Sequence, residues 1–155
     1  MLKDKYKLLH DAYFGIGLFE DGAGLRQHPR ESIENFRDRQ GLAYYLNYTA
    51  PIVNAAVDPI FKDDIAREYN SSEAFEAFLL DCDHAGTSYQ KFCKNAATQA
   101  KLYGCCYVVV DNYAAQEEAL SAAVENRHIP FLKLISPNQV KDWAVDEYGN
   151  FTMFQ

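Results

Sequence analysis

The side chains with the means for chemistry fall in a few short runs. Cys82-Asp83-His84 has the residue types of a metal site, and Asp81 with Asp83 makes a D-x-D pair. Zinc needs four ligands at recognisable spacing. Here the remaining ligands have to come from distant Cys93, Cys105 or Cys106, and Cys93 falls on an expected core face. A D-x-D pair at a helix end can hold Mg²⁺ with help, but residues two apart do not share a helix face. No nearby third acid or lysine completes a nuclease-like set, so a solvated helix end is the preferred reading. Asp111 ends an apolar run, as an aspartate does in nucleotide-binding enzymes, but those enzymes cradle phosphate on a Gly-rich loop. Gly22-Ala23-Gly24 lacks the third glycine and the preceding strand of such a loop. The sequence has neither a G-x-x-x-x-G-K-[ST] loop nor a G-x-S-x-G elbow, which leaves Asp111 as a strand terminator. His10, His28, His84 and His128 are scattered. Trp143 with Tyr148, Phe151 and Phe154 has the types of a base-stacking platform, though their alternation fits sheet packing better. The residues by themselves assign no catalytic, cofactor or metal site, and no enzymatic activity is expected.

The elements that must position these residues can be read from periodicity and breakers. Residues 5–14 form a weak amphipathic helix, residues 20–30 a loop, and residues 31–39 the start of a short helix. From Gly41, apolar residues recur at three and four through Ile60, which predicts one long helix. Pro51 lies inside it and predicts a kink or break; Pro59 marks its end. Asn70, Ser71 and Ser72 supply N-cap chemistry for a helix burying Ala74, Phe75, Phe78, Leu79 and Cys82. Thr87 is the candidate cap of the next, whose face is Tyr89, Phe92, Cys93, Ala96, Ala100 and Tyr103, with Gly104 placed to stop it.

Cys105–Val110 reads as a buried strand. Residues 113–127 read as a loop or short exposed helix, Ile129–Ile135 as a second strand, and Ser136-Pro137-Asn138 as a turn. Val140–Val145 is a third strand, Asp146–Asn150 a hairpin loop containing Gly149, and Phe151–Gln155 the start of a fourth. The order predicts an α+β fold, with N-terminal helices followed by a small, mostly antiparallel sheet. Residues 1–40 read as an N-terminal arm and loop, and residues 41–155 as the α+β domain. A strand that starts five residues before the last one is expected to continue in a longer parent protein.

Composition narrows the function classes. The chain has 155 residues, 48% of them hydrophobic and 14% aromatic, which is enough to build a core and argues against disorder. Fifteen Lys and Arg stand against 22 Asp and Glu, a net charge of −7. That is the wrong sign for a sequence-independent DNA binder. No apolar run approaches the roughly 20 residues of a membrane helix. The charged start, Met1-Leu2-Lys3-Asp4-Lys5, lacks the apolar stretch of a secretory signal, so a cytoplasmic chain with four free thiols is expected.

The order of motifs resembles the N-terminal part of tailed-bacteriophage portal proteins. Four stretches carry the likeness. The first is Tyr44-Tyr45-Leu46-Asn47-Tyr48-Thr49-Ala50-Pro51-Ile52-Val53 with Pro59-Ile60-Phe61, and the second is Leu80-Asp81-Cys82-Asp83-His84-Ala85-Gly86-Thr87-Ser88. The third is Ala100-Lys101-Leu102-Tyr103-Gly104 running into Cys105–Asp111. The fourth is Arg127-His128-Ile129-Pro130-Phe131-Leu132 and Ile135-Ser136-Pro137-Asn138-Gln139-Val140-Lys141-Asp142-Trp143, with the hairpin at Asp146–Gly149. The likeness spans roughly residues 40–155, in order and spacing rather than in any single motif. Portal subunits are several hundred residues long, with stem and clip regions that this chain lacks.

The resemblance implies part of the wing region, with Asp83, Gly86, Gly104, Asp111, Pro137 and Trp143 as structural motif positions. It implies a mechanical role in the virion, assembled in the host bacterial cytoplasm. A ring, usually of twelve subunits, sits at one capsid vertex and contacts capsid protein, terminase and tail connector. Double-stranded DNA passes through it during packaging and ejection. No cofactor and no membrane are implied, and the acidic balance would let DNA slide without sticking. Two other classes stay open: a small metal- or nucleotide-dependent α+β enzyme using Asp81, Asp83, His84 and Asp111, and an acidic virion adaptor module.

Overall fold

Helices come first and strands last in the computed structural model, which describes residues 2–70, 72–112 and 129–155. The helices are α1 (Leu2–Phe14), α2 (Ile33–Leu42), α3 (Thr49–Val57), α4 (Glu73–Leu80) and α5 (Tyr89–Tyr103), with single 3₁₀ turns at Gly17–Phe19 and Asp58–Phe61. The strands are β1 (Tyr107–Asp111), β2 (Phe131–Ile135), β3 (Trp143–Val145) and β4 (Phe151–Phe154). The fold is α+β. Its antiparallel part is two separate two-stranded ladders, β1–β2 and β3–β4, rather than one sheet. Contacts divide the chain into units of residues 1–55 and 56–155. The expected loop or helix at 113–127 lies outside the described residues.

In the first unit, α1 is followed by a reversal that its own residues hold. The Ile16 N–H donates to the Asp11 carbonyl at 3.0 Å, and the Lys7 ammonium donates to the buried Asp11 carboxylate at 2.7 Å. Ser32 caps α2 by accepting from the Asn35 N–H at 3.2 Å, a bond worth about 1 kcal/mol. The long helix expected from Gly41 is not formed. α2 ends at Leu42, no helix runs from Ala43 through Tyr48, and α3 begins at Thr49. Pro51 explains the break, for it has no N–H to give the Asn47 carbonyl. The Asn47 side chain caps instead, its Oδ1 accepting from the Ala50 N–H at 3.1 Å. Pro51 thus sits in the first turn, where a missing donor costs little.

In the second unit, Ser72 occupies the N-cap of α4 but makes no side-chain cap bond. The cap of α5 is Ser88, accepting from the Lys91 N–H at 3.4 Å, one residue beyond the expected Thr87. Gly104 closes α5 with φ +86°, donating to the Ala100 carbonyl at 2.9 Å. That left-handed conformation is costly for a residue with a Cβ. Phe92 from α5, Leu132 from β2 and Cys82 form the buried cluster, with Phe78, Tyr89 and Leu134 packed against it.

β1 pairs antiparallel with β2, Tyr107 opposite Ile135 and Asp111 opposite Phe131. The expectation of a buried strand at Cys105–Val110 fails: Val108 and Val110 are exposed. A strand is buried on both faces only when other layers cover both, and the face of β1 that carries these two valines stands open. Asp111 is the last residue of β1, paired inside the ladder rather than lying past its end. The Ser136-Pro137-Asn138 turn forms, with the Gln139 N–H donating to the Ser136 carbonyl at 3.0 Å, and Pro137 is buried. The third strand is only Trp143–Val145, and a bulge interrupts its pairing with β4 between Ala144 and Val145.

Candidate functional site

The loop between α4 and α5 carries the densest set of chemical residues, and its backbone consumes most of them. α4 ends at Leu80 because Asp81 leaves helical geometry at φ −147°, ψ 79°. Asp81 Oδ1 then accepts from the Gly86 N–H at 2.8 Å. Asp83 Oδ1 accepts from two N–H groups, Ala85 at 2.9 Å and Thr87 at 3.1 Å. This is the turn chemistry of aspartates that hydrogen-bond to the backbone a few residues on. The peptide reverses through His84, at φ +58°, and Gly86, at φ +83°. His84 packs its ring on Phe131, centroids 4.8 Å apart.

Cys82 is the anchor of this loop. It is fully buried. Its N–H and its thiol both donate to the Thr87 carbonyl, at 3.0 and 3.3 Å. Its carbonyl accepts from the Leu132 N–H at 2.7 Å. Burial, and then the neighbouring Asp83 carboxylate, push the thiol up to about 11. A thiol held protonated is a poor nucleophile and a poor metal ligand. Burial works to raise Asp83, but the Thr87 side chain and the Ala85 and Thr87 N–H groups more than offset it and leave the carboxyl below its ordinary value. Among the described residues no three His, Cys, Asp or Glu side chains are placed to hold a metal ion.

The other sequence-predicted positions are dispersed over the second unit. Asp111 Oδ1 accepts from the Asn112 N–H at 2.9 Å, and Oδ2 meets the Lys133 ammonium at 3.4 Å across the ladder. Trp143 is half exposed and stands edge-on to Phe151 at 6.1 Å. Gly104 and Pro137 serve backbone geometry, at the end of α5 and in the turn after β2. The structure therefore joins Asp83 and Gly86 in one loop and keeps Gly104, Asp111, Pro137 and Trp143 apart from it in structural roles of their own.

A cleft of about 620 Å³ beside this loop is lined by Asp83, Phe92, Asn95, Lys133, Gln139 and Val140, among others. Asn95 and Lys133 belong to no motif, Gln139 enters the fourth stretch only as part of its turn, and polar residues on an amphipathic helix or strand carry no sequence signal of a shared cleft. The buried Asp11 was equally missed, although Lys7 and Asp11 stand four apart in an amphipathic stretch, where one helix face pairs them. Among the described residues no helix is long and apolar enough to cross a membrane. Compared with protein-family models and with curated proteins, the chain matches none.

Proposed function

We propose that the chain is the wing-region portion of a tailed-phage portal subunit, a structural component of the ring at the capsid vertex. In this reading the ring, of about twelve subunits as in the portals it resembles, passes double-stranded DNA and docks terminase, capsid protein and tail connector. The observation that carries the reading is the direction of the apolar side chains. Among the described residues ten apolar side chains are buried, Pro137 among them, while twenty-one large ones are exposed. Single exposed hydrophobics are ordinary, but contiguous ones mark contact surfaces, and a subunit made to be covered by neighbours carries such surfaces. The helix-to-strand transition at Gly104 and the α+β order support the same reading, as does the loop whose aspartates are spent on its own turn. Native mass spectrometry and negative-stain microscopy of the full-length protein test it. Rings are expected, and monomers under all conditions would sink it.

The cleft beside Asp83 favours a second reading, a small ligand-binding or enzymatic domain. Its polar lining of Asp83, Asn95, Lys133 and Gln139 is of the kind that orients a small molecule. Thermal-shift titration with Mg²⁺, Zn²⁺ and nucleotides separates the two, because a ligand of the native state must raise the melting temperature.

A further inference from the structure

β2 is bonded to β1 along one of its edges. In an antiparallel pair, alternate residues turn both backbone groups toward the partner strand and the others turn them away. The Leu132 N–H is given to the Cys82 carbonyl at 2.7 Å, so Leu132 and Leu134 are the residues turned away from β1. Among the described residues, the Leu132 C=O and the N–H and C=O of Leu134 meet no partner on this outer edge. Asp81 and Asp83 explain the opening. Their carboxylates accept from the Gly86, Ala85 and Thr87 N–H groups and turn the loop, so the chain touches β2 at Cys82 and leaves it. The cleft of about 620 Å³ runs beside the groups left open. Asp83 stands at its Leu132 end. Gln139, whose Oε1 accepts from the Ser136 N–H at 3.0 Å, stands at its Ile135 end, and Asn95 of α5 also lines it.

We infer that the outer edge of β2 takes an extended, basic peptide segment of a partner protein as a third strand. Open N–H and C=O groups at strand spacing are matched by another extended backbone, with side-chain pockets beside them setting the preference. β2 has five residues, roughly 15 Å at the rise of a strand, so about four or five partner residues fit alongside it. Open edges are commonly guarded by a lysine. The lysine of β2 does not guard this one. Lys133 is among the residues turned to β1, and its ammonium lies 3.4 Å from Asp111 Oδ2 across the ladder.

Charge chooses the kind of segment. The charged residues of the cleft lining are Asp83 and Lys133, and Lys133 is engaged by Asp111. Asp83 therefore sets the sign of the cleft, inside a unit that is itself acidic: residues 56–155 hold eight Lys and Arg against fifteen Asp and Glu. A segment with Lys or Arg beside Asp83 is favoured, and an acidic one is opposed. The same balance argues against a second copy as the occupant, because two acidic units meeting edge to edge set like charge against like. The inference is independent of the ring reading; it holds for a ring subunit and for a small ligand-binding domain alike.

Amide hydrogen exchange followed by NMR on the 155-residue chain reads the edge directly. In dilute protein the Leu134 amide is expected to exchange roughly tenfold faster than that of Lys133, which is bonded to β1. Equal protection of the two shows the edge already taken and overturns the inference. Protection of Leu134 that grows with protein concentration assigns the edge to a second copy and overturns it as well. The probe is a blocked heptapeptide alternating lysine with valine. It is expected to bind saturably and to slow Leu134 exchange, and its counterpart with glutamate for lysine is expected to bind roughly tenfold more weakly. Asp83→Asn, whose Oδ1 keeps an acceptor for the Ala85 and Thr87 N–H groups, is expected to narrow that preference. Asn95→Trp places a bulky side chain in the cleft from an exposed position on α5. It is expected to abolish binding with unchanged far-ultraviolet circular dichroism. No saturable binding of the lysine peptide, binding that leaves Leu134 exchange unchanged, or equal binding of the glutamate peptide overturns the inference.

Discussion

The Leu132 N–H donates to the Cys82 carbonyl at 2.7 Å, so the loop after α4 and the strand β2 are held by a direct backbone bond, although fifty residues separate them in sequence. Around this bond Cys82, Leu132 and Phe92 bury one another. Phe78, Tyr89 and Leu134 pack against this cluster from α4, α5 and β2.

Phe92→Ala removes the largest member of the cluster. A loss of about 3–5 kcal/mol is expected, read as a lower urea midpoint with an unchanged slope. A cost under about 1 kcal/mol would show that the cluster collapses around the gap.

Thiol labelling measures the Cys82 environment directly. Its burial and its raised value, about 11, keep it protonated at neutral pH, and thiolate is the reactive form. At mildly alkaline pH, a disulfide reagent is expected to modify half-buried Cys105 well before Cys82. Labelling of Cys82 at the rate of a free peptide thiol would contradict this packing.

Glu31 predicts an acid limb of stability. The Arg39 guanidinium grips it through two bonds, at 2.9 and 2.8 Å, and lowers its carboxyl from the usual 4.5 to about 2. A folded value below the unfolded one contributes stability above the unfolded value, and that contribution is lost as pH falls from about 4.5 through about 2. Glu31→Gln is expected to flatten the stability profile in this window and to leave its shape near neutral pH unchanged. Denaturation profiles of the two proteins that run parallel below pH 4.5 would refute the assignment.

Gly104→Ala forces a Cβ into a left-handed residue, φ +86°. A loss of roughly 1–2 kcal/mol is expected, measured by chemical denaturation. The site has open space around the added atom, so a larger loss would point to a second cause.

Local signals carried much of this fold into view. The Ser32 and Ser88 caps lie within a residue or two of the polar positions that start each helix, and Gly104 ends α5 where a C′ glycine is expected. The Asp146 turn is equally local: Asp146 Oδ1 accepts from the Tyr148 and Asn150 N–H groups at 2.9 and 2.8 Å. Asp81 and Asp83 spend their carboxylates on N–H groups just as near in the chain. Residues close to one another in sequence decide each of these features, and periodicity and turn chemistry report on that range.

Pro51 announced a break in the long helix, but that the break spans Ala43–Tyr48, ahead of the proline, was hidden, because the apolar spacing there satisfies a helix period as well as a strand period. What chose between them was Pro51 together with the inward bonds of Tyr45 and Asn47 to the end of α1, and those partners lie more than thirty residues away. The cleft residues Asn95, Lys133 and Gln139 were hidden for the same reason. The sequence by itself therefore determined the α+β order, the caps, the turns and the acidic balance, since each is a property of neighbours or of composition. Only the tertiary structure decided that Val108 and Val110 face outward, that Cys82 is bonded and buried against β2, and that Tyr44, Leu46 and Tyr48 stand exposed. Each of those depends on which distant backbone arrives to cover or bond a side chain.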